Sequence, residues 1–530
     1  MASVQLRPFQ AALKSDVYAA WQAGARNVLA VAPTGSGKTV LFSDILHEYP
    51  GASVAIAHRS ELVSQISLAL ARNGVRHRLI GQPALVRTCV SIHIAETGRS
   101  YYDPSSRCAA AGVDTLIRME AADPWFARVG LWVQDEAHHL LAENKWGTAS
   151  AMFPNAHGLG VTATPVRADG KGLGRHADGL MDVMVQAPGM RSLIQQGYLT
   201  DYRIFAPPSD LDLSAVGISA GGDFSPDPLR KAVHASHILG DVVAHYLKIA
   251  AGKLGVTFAV DVEHAGEIAQ AYRAAGVPAE VVSAKTPDAG RASILRRFAR
   301  GEVKQLVNVD LFGEGFDLPA LECVSMARPT QSFALYAQQF GRSLRPMEGK
   351  AHALIIDHVG NVHRHGLPDA PREWSLDRRE RHSASKSDVV PVRTCPECAG
   401  TYDRVLGPTC PYCSYTVEPV GRSSPEQVDG DLAELTPEAL ARLRGEIDAA
   451  PAFHPDPLIA KSLVARQREK QEAQEALRAA MAQWGGYRAA AGDDVYTAQR
   501  RFYLTYGVDV ATAQTLGRAE AEALRARLGV

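Results

Sequence analysis

The 530-residue chain has no apolar run approaching the ~20 residues that a bilayer-spanning helix needs. Its first residues, Met1-Ala2-Ser3-Val4-Gln5-Leu6, lack the charged and apolar regions of a signal peptide. Net charge is almost absent, −1 at pH 7, so composition gives no global basic signal for nucleic acid. A groove on a neutral protein can still be locally positive. Cysteine is scarce, with seven residues: Cys89, Cys108, Cys323, Cys395, Cys398, Cys410 and Cys413. Three are scattered and four form two CxxC pairs, which suits a reducing compartment and a metal better than a disulfide framework. These features lead to the expectation of a soluble, cytoplasmic protein with no membrane partner. The length is too great for one core, and roughly three or four domains are expected.

What the chain does have is centred on Ala32-Pro33-Thr34-Gly35-Ser36-Gly37-Lys38-Thr39. The apolar run Asn27–Val31 before it reads as a buried strand, and Val40–Leu46 after it is apolar at helical spacing. Gly35 and Gly37 let the backbone curl so that N–H groups point inward at phosphate oxygens. The helix start near Lys38 adds its positive dipole end. Lys38 supplies a mobile charge for the outer phosphates, and the Thr39 hydroxyl can ligate Mg²⁺. A second site signal is Asp135-Glu136-Ala137-His138-His139, after the strand-like Leu131–Gln134. In this reading Asp135 holds Mg²⁺ and Glu136 polarises the attacking water. Gln134 is unusual, since a buried strand normally carries an apolar residue there.

Gln10, before the helical pattern Ala11–Trp21, has the donor and acceptor that match an adenine edge, although a surface residue reads the same way. Ala52–Ala57 is a second buried strand; the polar residues after it face the ligand side of an open α/β sheet, and Ser60 is placed to cap the next helix. Val86–Ile94 reads as strand-like. Gly98–Arg107 is turn-rich, with aromatic and basic residues interleaved, and suits either a nucleic-acid-gripping loop or a plain surface loop. Val113–Arg118 reads as a strand-to-helix passage. Gly158–Pro165 reads as a strand ending in Thr162 and Thr164, which could link the carboxylates to a neighbouring domain. Residues 166–235 read as a connecting region. A second α/β pattern then begins, with helical spacing at Ile238–Ile249 and strands at Gly255–Val260, Ala279–Ser283 and Gln305–Val309. Tyr336–Arg345 places Arg342 and Arg345 three apart on one helical face, suited to a γ-phosphate across a domain seam.

The tail carries a different chemistry. Arg372–Val390 is charged and reads as a solvated linker. Cys395-Pro396-Glu397-Cys398 and Cys410-Pro411-Tyr412-Cys413 can close a tetrahedral, structural Zn²⁺ site, with a redox pair as the alternative. From Thr436-Pro437 onward the chain reads as helical, with a long helix over Lys461–Met481. The aromatic and basic residues of Tyr496–Val530 fit a module for DNA or a partner, or a packed helical cap.

Together, APTGSGKT, DEAHH, VTATP, NVDLFGEGFDLP and QQFGRSLR, in this order, resemble the superfamily 2 helicases of DEAD/DEAH-box type over roughly residues 5–365. Gly197-Tyr198-Leu199-Thr200, Val262-Glu263-His264-Ala265, Ala327-Arg328-Pro329-Thr330 and Leu354–Asn361 look like the RadD-type bacterial DNA-repair helicases, which phage-encoded helicases resemble in layout. The resemblance implies an α/β fold: two tandem RecA-like domains, then a zinc ribbon and an α-helical region. The expected segments are 1–190 (first RecA-like, ATP-binding), 191–240 (connecting), 241–365 (second RecA-like), 366–390 (linker), 391–420 (zinc ribbon) and 421–530 (helical). It further implies that Gln10 reads adenine, that Gly315 and Asp317 lie near the ribose and the seam, and that Gln338, Arg342 and Arg345 complete the γ-phosphate site. Arg59, Thr115 and Ser283 lie near motifs that touch the nucleic-acid backbone, and the insertion at 97–110 departs from the usual pattern. The implied activity is ATP-driven movement on or unwinding of DNA, single-stranded or forked, in repair, recombination or replication. The implied cofactors are ATP, Mg²⁺ and Zn²⁺, and the tail could reach a repair or replication partner. An RNA helicase and an ATP-gated nucleic-acid-binding scaffold are the alternatives.

Overall fold

The computed structural model describes residues 5–120, 123–219, 221–236, 238–309, 321–378, 391–417, 457–508, 510–513 and 516–529. They form two compact units, one within Met1–Gly421 and one within Arg422–Val530. No described helix is long and apolar enough to cross a membrane.

The first unit holds two sheets. Strands β1 (Asn27–Val31), β2 (Ala52–Ala57), β3 (His77–Ile80), β4 (Cys108–Gly112), β5 (Val129–Gln134), β6 (His157–Thr162) and β7 (Val183–Gln186) form a parallel sheet in the order β3-β4-β2-β5-β6-β1-β7. The runs of β1 and β2 are apolar without alternation because both faces are covered: Val28 and Ala30 pack into one core cluster, and Leu29 and Val31 into the other. Strands β8 (Tyr202–Phe205), β9 (Gly255–Phe258), β10 (Ala279–Ser283), β11 (Gln305–Val309), β12 (Cys323–Met326), β13 (Ala353–Asp357), β14 (Val392–Thr394) and β15 (Gly400–Asp403) form the second sheet, ordered β10-β11-β9-β12-β13-β8-β15-β14. Its first six strands are parallel, and β15 and β14 are antiparallel. These are the two RecA-like domains. Helices lie between most successive strands, and the second sheet is extended by the cysteine-bearing hairpin.

Several expectations are corrected. Val86–Ile94 is not a strand but the middle of the helix Pro83–Thr97. Pro83 suits its first position, and Leu85, Cys89 and His93 recur every fourth residue along its buried face. Ser60 is the first helical residue of Ser60–Arg72 and not its cap; Arg59 occupies the cap position. The strand before Val113 is Cys108–Gly112, and only the single turn Val113–Leu116 is helical. The 166–235 stretch is more integrated than a connector, since β7 pairs with β1 and β8 with β13.

The turn-rich Gly98–Arg107 loop lies beside the start of β3, where the His77 N–H donates to the Tyr101 carbonyl (3.0 Å). In a parallel sheet, strand starts and strand ends lie on opposite edges, so this loop is remote from the Pro33–Gly37 turn that follows β1. A network of Ser67, His77 and His93 holds it, with Ser67 Oγ at 2.7 and 2.9 Å from the two imidazoles.

Arg372–Arg378 is not a solvated linker. The Arg372 guanidinium lies 3.8 Å from the Phe333 ring centroid. Trp374 and Leu376 pack against the core of the first domain, and Gly174 N–H donates to the Leu376 carbonyl (2.9 Å). Arg378 forms two bonds to the Asp178 carboxylate. The segment is a strap running from the second domain back onto the first. Arg379–Val390 and the Thr436-Pro437 cap lie outside the described residues.

The second unit has its own small core. Helix Pro457–Ala490 presents Ala473, Leu477 and Ala480 at helical spacing to Phe502 of Val495–Tyr506 and to Ala521 and Leu524 of Arg518–Leu528. Asp494 caps the middle helix by accepting from Thr497 N–H (2.7 Å).

Candidate active site

The phosphate loop has the shape its glycines predict. Gly35 (φ +83°) and Gly37 (φ +89°) occupy the left-handed region, and the helix Lys38–Glu48 starts immediately afterwards. Gln10 braces the loop from the first helix, Pro8–Gln22. Its amide nitrogen donates to the carbonyls of Ser36 (3.0 Å) and Gly37 (3.2 Å), and its oxygen accepts from Arg7 N–H (2.9 Å). Lys38 Nζ reaches the Ala32 carbonyl at 3.4 Å. Burial pushes its pKa down, with Arg342 and Arg345 adding to the effect and Glu136 and Asp135 opposing it.

The carboxylates follow β5. Asp135 and Glu136 are both buried. Asp135 is raised above the ordinary carboxylate range by burial first and by the adjacent Glu136 second. Glu136 sits at φ +51°, a left-handed conformation rare for a side chain of its size. Its N–H donates to Asp135 Oδ1 (2.9 Å), so the strained turn is held by the neighbouring acid. His138 Nδ1 lies 3.4 Å from Glu136 Oε2 and 3.2 Å from Thr162 Oγ1. Thr162 thus joins the carboxylate turn to the end of β6, whereas the Thr164 hydroxyl has no hydrogen-bond partner among the described residues. Gln134 is fully buried, with its amide equally without a partner among those residues.

The second domain closes over this site. Helix Phe333–Gly341 places Gln338 Nε2 3.2 Å from Glu136 Oε2, a hydrogen bond across the seam. A β-carbon added at Gly35 would stand 3.5 Å from the Gly341 carbonyl and 3.8 Å from Arg345 Cγ. Arg342 and Arg345 do not share a helical face as the spacing suggested. The helix ends at Gly341, Arg342 is its cap, and Arg345 lies in the loop beyond. Both still act electrostatically on Lys38.

Gly341 is the point of closest approach, where an added β-carbon would collide with Thr34 of the phosphate loop. Gly341→Ala is therefore expected to lower ATP turnover by about 10- to 100-fold while each domain stays folded. Steady-state kinetics beside circular dichroism checks this, and wild-type turnover would show the approach to be dispensable.

The remaining candidates fall in three places. Arg59 and Thr115 follow the ends of β2 and β4, and Ser283 is the last residue of β10, so all three lie at carboxyl ends of their strands. A further contact has no local sequence signal: Glu61 and Arg291 form an ion pair across the seam. Gly315 and Asp317 lie outside the described residues. The four thiols of Cys395, Cys398, Cys410 and Cys413 lie within 4.8 Å of one another. The Cys395–Cys413 and Cys398–Cys410 sulfurs are 3.7 Å apart. Four thiolates about 2.3 Å from a tetrahedral ion would be separated by about 3.8 Å, so the residues present fit such an ion.

Comparison with known proteins agrees with this geometry. Residues 3–167 match the family "Type III restriction enzyme, res subunit", and residues 240–347 match "Helicase conserved C-terminal domain". A 51.5 kDa protein of a Lactococcus phage is 32% identical over 70% of this chain and 74% of its own length. A Saccharomyces cerevisiae protein named as an ATP-dependent helicase is 30% identical over 62% of this chain and 47% of its own. A Halobacterium salinarum protein named as a DNA 3'-5' helicase is 27% identical over 65% of this chain and 52% of its own. This chain thus spans about half of the last two. With a phosphate loop, a carboxylate pair and a second RecA-like domain closing over both, the chain belongs to the superfamily 2 helicases of DEAD/DEAH type, which are ATP-hydrolysing enzymes.

Proposed function

We propose that this chain is an ATP-driven DNA translocase or helicase, acting on single-stranded or forked DNA in repair, recombination or replication. The hydrogen bond from Gln338 to Glu136 is the observation that carries the reading. It joins the water-activating residue of one domain to the helix that leads into the arginine-bearing loop of the other, so hydrolysis and domain closure are mechanically linked.

In this reading the loop Pro33–Thr39 and Lys38 hold the β- and γ-phosphates, and Gln10, Gly315 and Asp317 form the base and ribose side. Thr39 and Asp135 hold Mg²⁺, which when bound neutralises phosphate charge. Glu136 takes a proton from the attacking water, and Gln338 keeps its carboxylate oriented. Arg342 and Arg345 stabilise the charge spreading over the transferred phosphoryl group. Arg59, Thr115 and Ser283 hold the nucleic-acid backbone, and opening and closing of the seam moves the strand. The four cysteines hold structural Zn²⁺. The RadD-like stretches favour a repair role in a bacterial or phage-infected cytoplasm, and the relative named as a DNA helicase favours DNA.

The test is ATP hydrolysis with single-stranded DNA, forked DNA, duplex DNA and single-stranded RNA. DNA, but not RNA, is expected to stimulate turnover at least about tenfold. Stimulation by RNA alone would establish an RNA helicase, and no stimulation by any would favour the scaffold.

A further inference from the structure

Arg345 is presented by a loop, not a helix, so something other than helical hydrogen bonds must hold it. The loop Arg342–Lys350 folds back on itself, and Lys350 lies at its end. Lys350 Nζ donates to three backbone carbonyls: Leu321 (3.0 Å), Ser343 (2.7 Å) and Arg345 (2.5 Å). An ammonium has three protons, so all of its donors are used. Two of the acceptors lie in the arginine loop, and the third lies just before β12, the strand that leads toward the Phe333–Gly341 helix. The linker ahead of β8 adds a second tie. Thr200 N–H donates to the Leu344 carbonyl (2.8 Å), and Thr200 Oγ1 donates to the Arg345 carbonyl (3.3 Å). The Arg345 carbonyl is therefore held from two sides while its side chain reaches the phosphate loop.

We propose, resting on the ATPase reading above, that Lys350 is a positioning residue for ATP hydrolysis, acting through Arg345. It ties together three carbonyls, one of them shared with Thr200, and so holds the loop in the shape that delivers Arg345 to the γ-phosphate. A charged ammonium is needed because a neutral amine has only two protons for three acceptors. Among the described residues two charged groups face Lys350: Glu322, which is paired with Lys253 (2.7 Å), and Arg345 itself.

The charge of Lys350 is held loosely. Burial pushes its pKa down to about 8, with Arg345 adding to the effect and Glu322 opposing it. Below pH 8 all three bonds are made. As pH rises through 8 the ammonium loses a proton, one carbonyl loses its donor, and kcat falls. Stability moves the other way. A folded-state pKa below the ordinary 10.5 means that folding penalises the charged lysine, and this penalty fades between pH 8 and 10.5. A merely structural lysine would not make turnover and stability diverge.

The experiment is nucleic-acid-stimulated ATP turnover by the full chain from pH 6.5 to 10, with thermal melts at each pH, for wild type, Lys350→Met, Lys350→Arg and Thr200→Val. Lys350→Met should lower kcat about tenfold at pH 7.5, leave the KM for ATP within about threefold, and remove the alkaline fall. Lys350→Arg should restore kcat at pH 7.5 and carry the fall to higher pH. Thr200→Val should lower kcat by a smaller factor and keep the wild-type alkaline fall. Wild-type kcat in Lys350→Met, or an unmoved alkaline fall in Lys350→Arg, would overturn the proposal. If Lys350→Met does not fold, wild type against Lys350→Arg decides alone. Absence of stimulated turnover in wild type would overturn the ATPase reading instead.

Discussion

Glu136→Gln is expected to lower nucleic-acid-stimulated ATP turnover by about 10²- to 10⁴-fold, the usual cost of removing a general base. The magnitude follows from how completely the carboxylate is committed. It sits on a left-handed residue, its N–H is tied to Asp135, and its Oε2 faces both His138 and Gln338. Glutamine keeps the size and one acceptor oxygen, so the turn and the seam should survive while proton abstraction does not. Asp135 and Lys38 remain, so the variant should still bind ATP and close on nucleic acid. Lys38→Ala should differ by losing ATP affinity as well as turnover. Steady-state kinetics beside equilibrium binding of a fluorescent ATP analogue separates the two. Turnover of Glu136→Gln within tenfold of wild type would show that another group activates the water.

The parts of this site that were readable in the sequence share one property: their chemistry needs fixed residue types at fixed local spacing. Gly35 and Gly37 must take left-handed angles, Lys38 and Thr39 must follow at once, and Asp135 and Glu136 must leave a buried strand together. Buried parallel strands were equally legible because both faces demand apolar residues, and β1, β2, β10 and β11 span the residues expected. What escaped reading depends on contacts remote in sequence. Lys350 looks like an ordinary surface lysine until three carbonyls converge on it. Glu61 and Arg291 are 230 residues apart and meet only because their helices follow strand ends facing the same seam. Trp374 and Leu376 sit in a charged stretch whose polarity hides two apolar anchors. Val86–Ile94 misleads for a local reason, since its β-branched residues favour a strand, while Pro83 and the fourfold recurrence of Leu85, Cys89 and His93 mark the helix.

The second large effect concerns the metal. Purified protein is expected to hold one zinc per chain, and removal by a chelator, or Cys395→Ser with Cys410→Ser, should unfold residues 391–417. Hairpins of this size have no apolar core to replace the ion, and metal binding supplies most of their folding free energy. The damage should not stop at the hairpin. Strand β15 pairs with β8 through Gly400 and Thr401, and Ala206 N–H donates to the Ala399 carbonyl (2.9 Å). The Tyr412 ring lies against Phe205 at a tilt, with ring centroids 5.7 Å apart, and Arg203 lies 5.7 Å from the centroid of the same ring. Gly400 is required at this junction, because a β-carbon there would collide with Tyr412. Amide exchange should rise at least about a hundredfold across 391–417 and to a lesser degree in β8. It should be unchanged in β10 and β11, which lie at the far edge of the same sheet. The nucleotide site belongs to strands that the hairpin does not touch, so ATP binding should persist in the metal-free protein. Exchange unaffected by the chelator would mean that the hairpin is held by its pairing to β8 alone. Exchange rising uniformly across the second sheet would mean that the ion stabilises the whole domain and not only its edge.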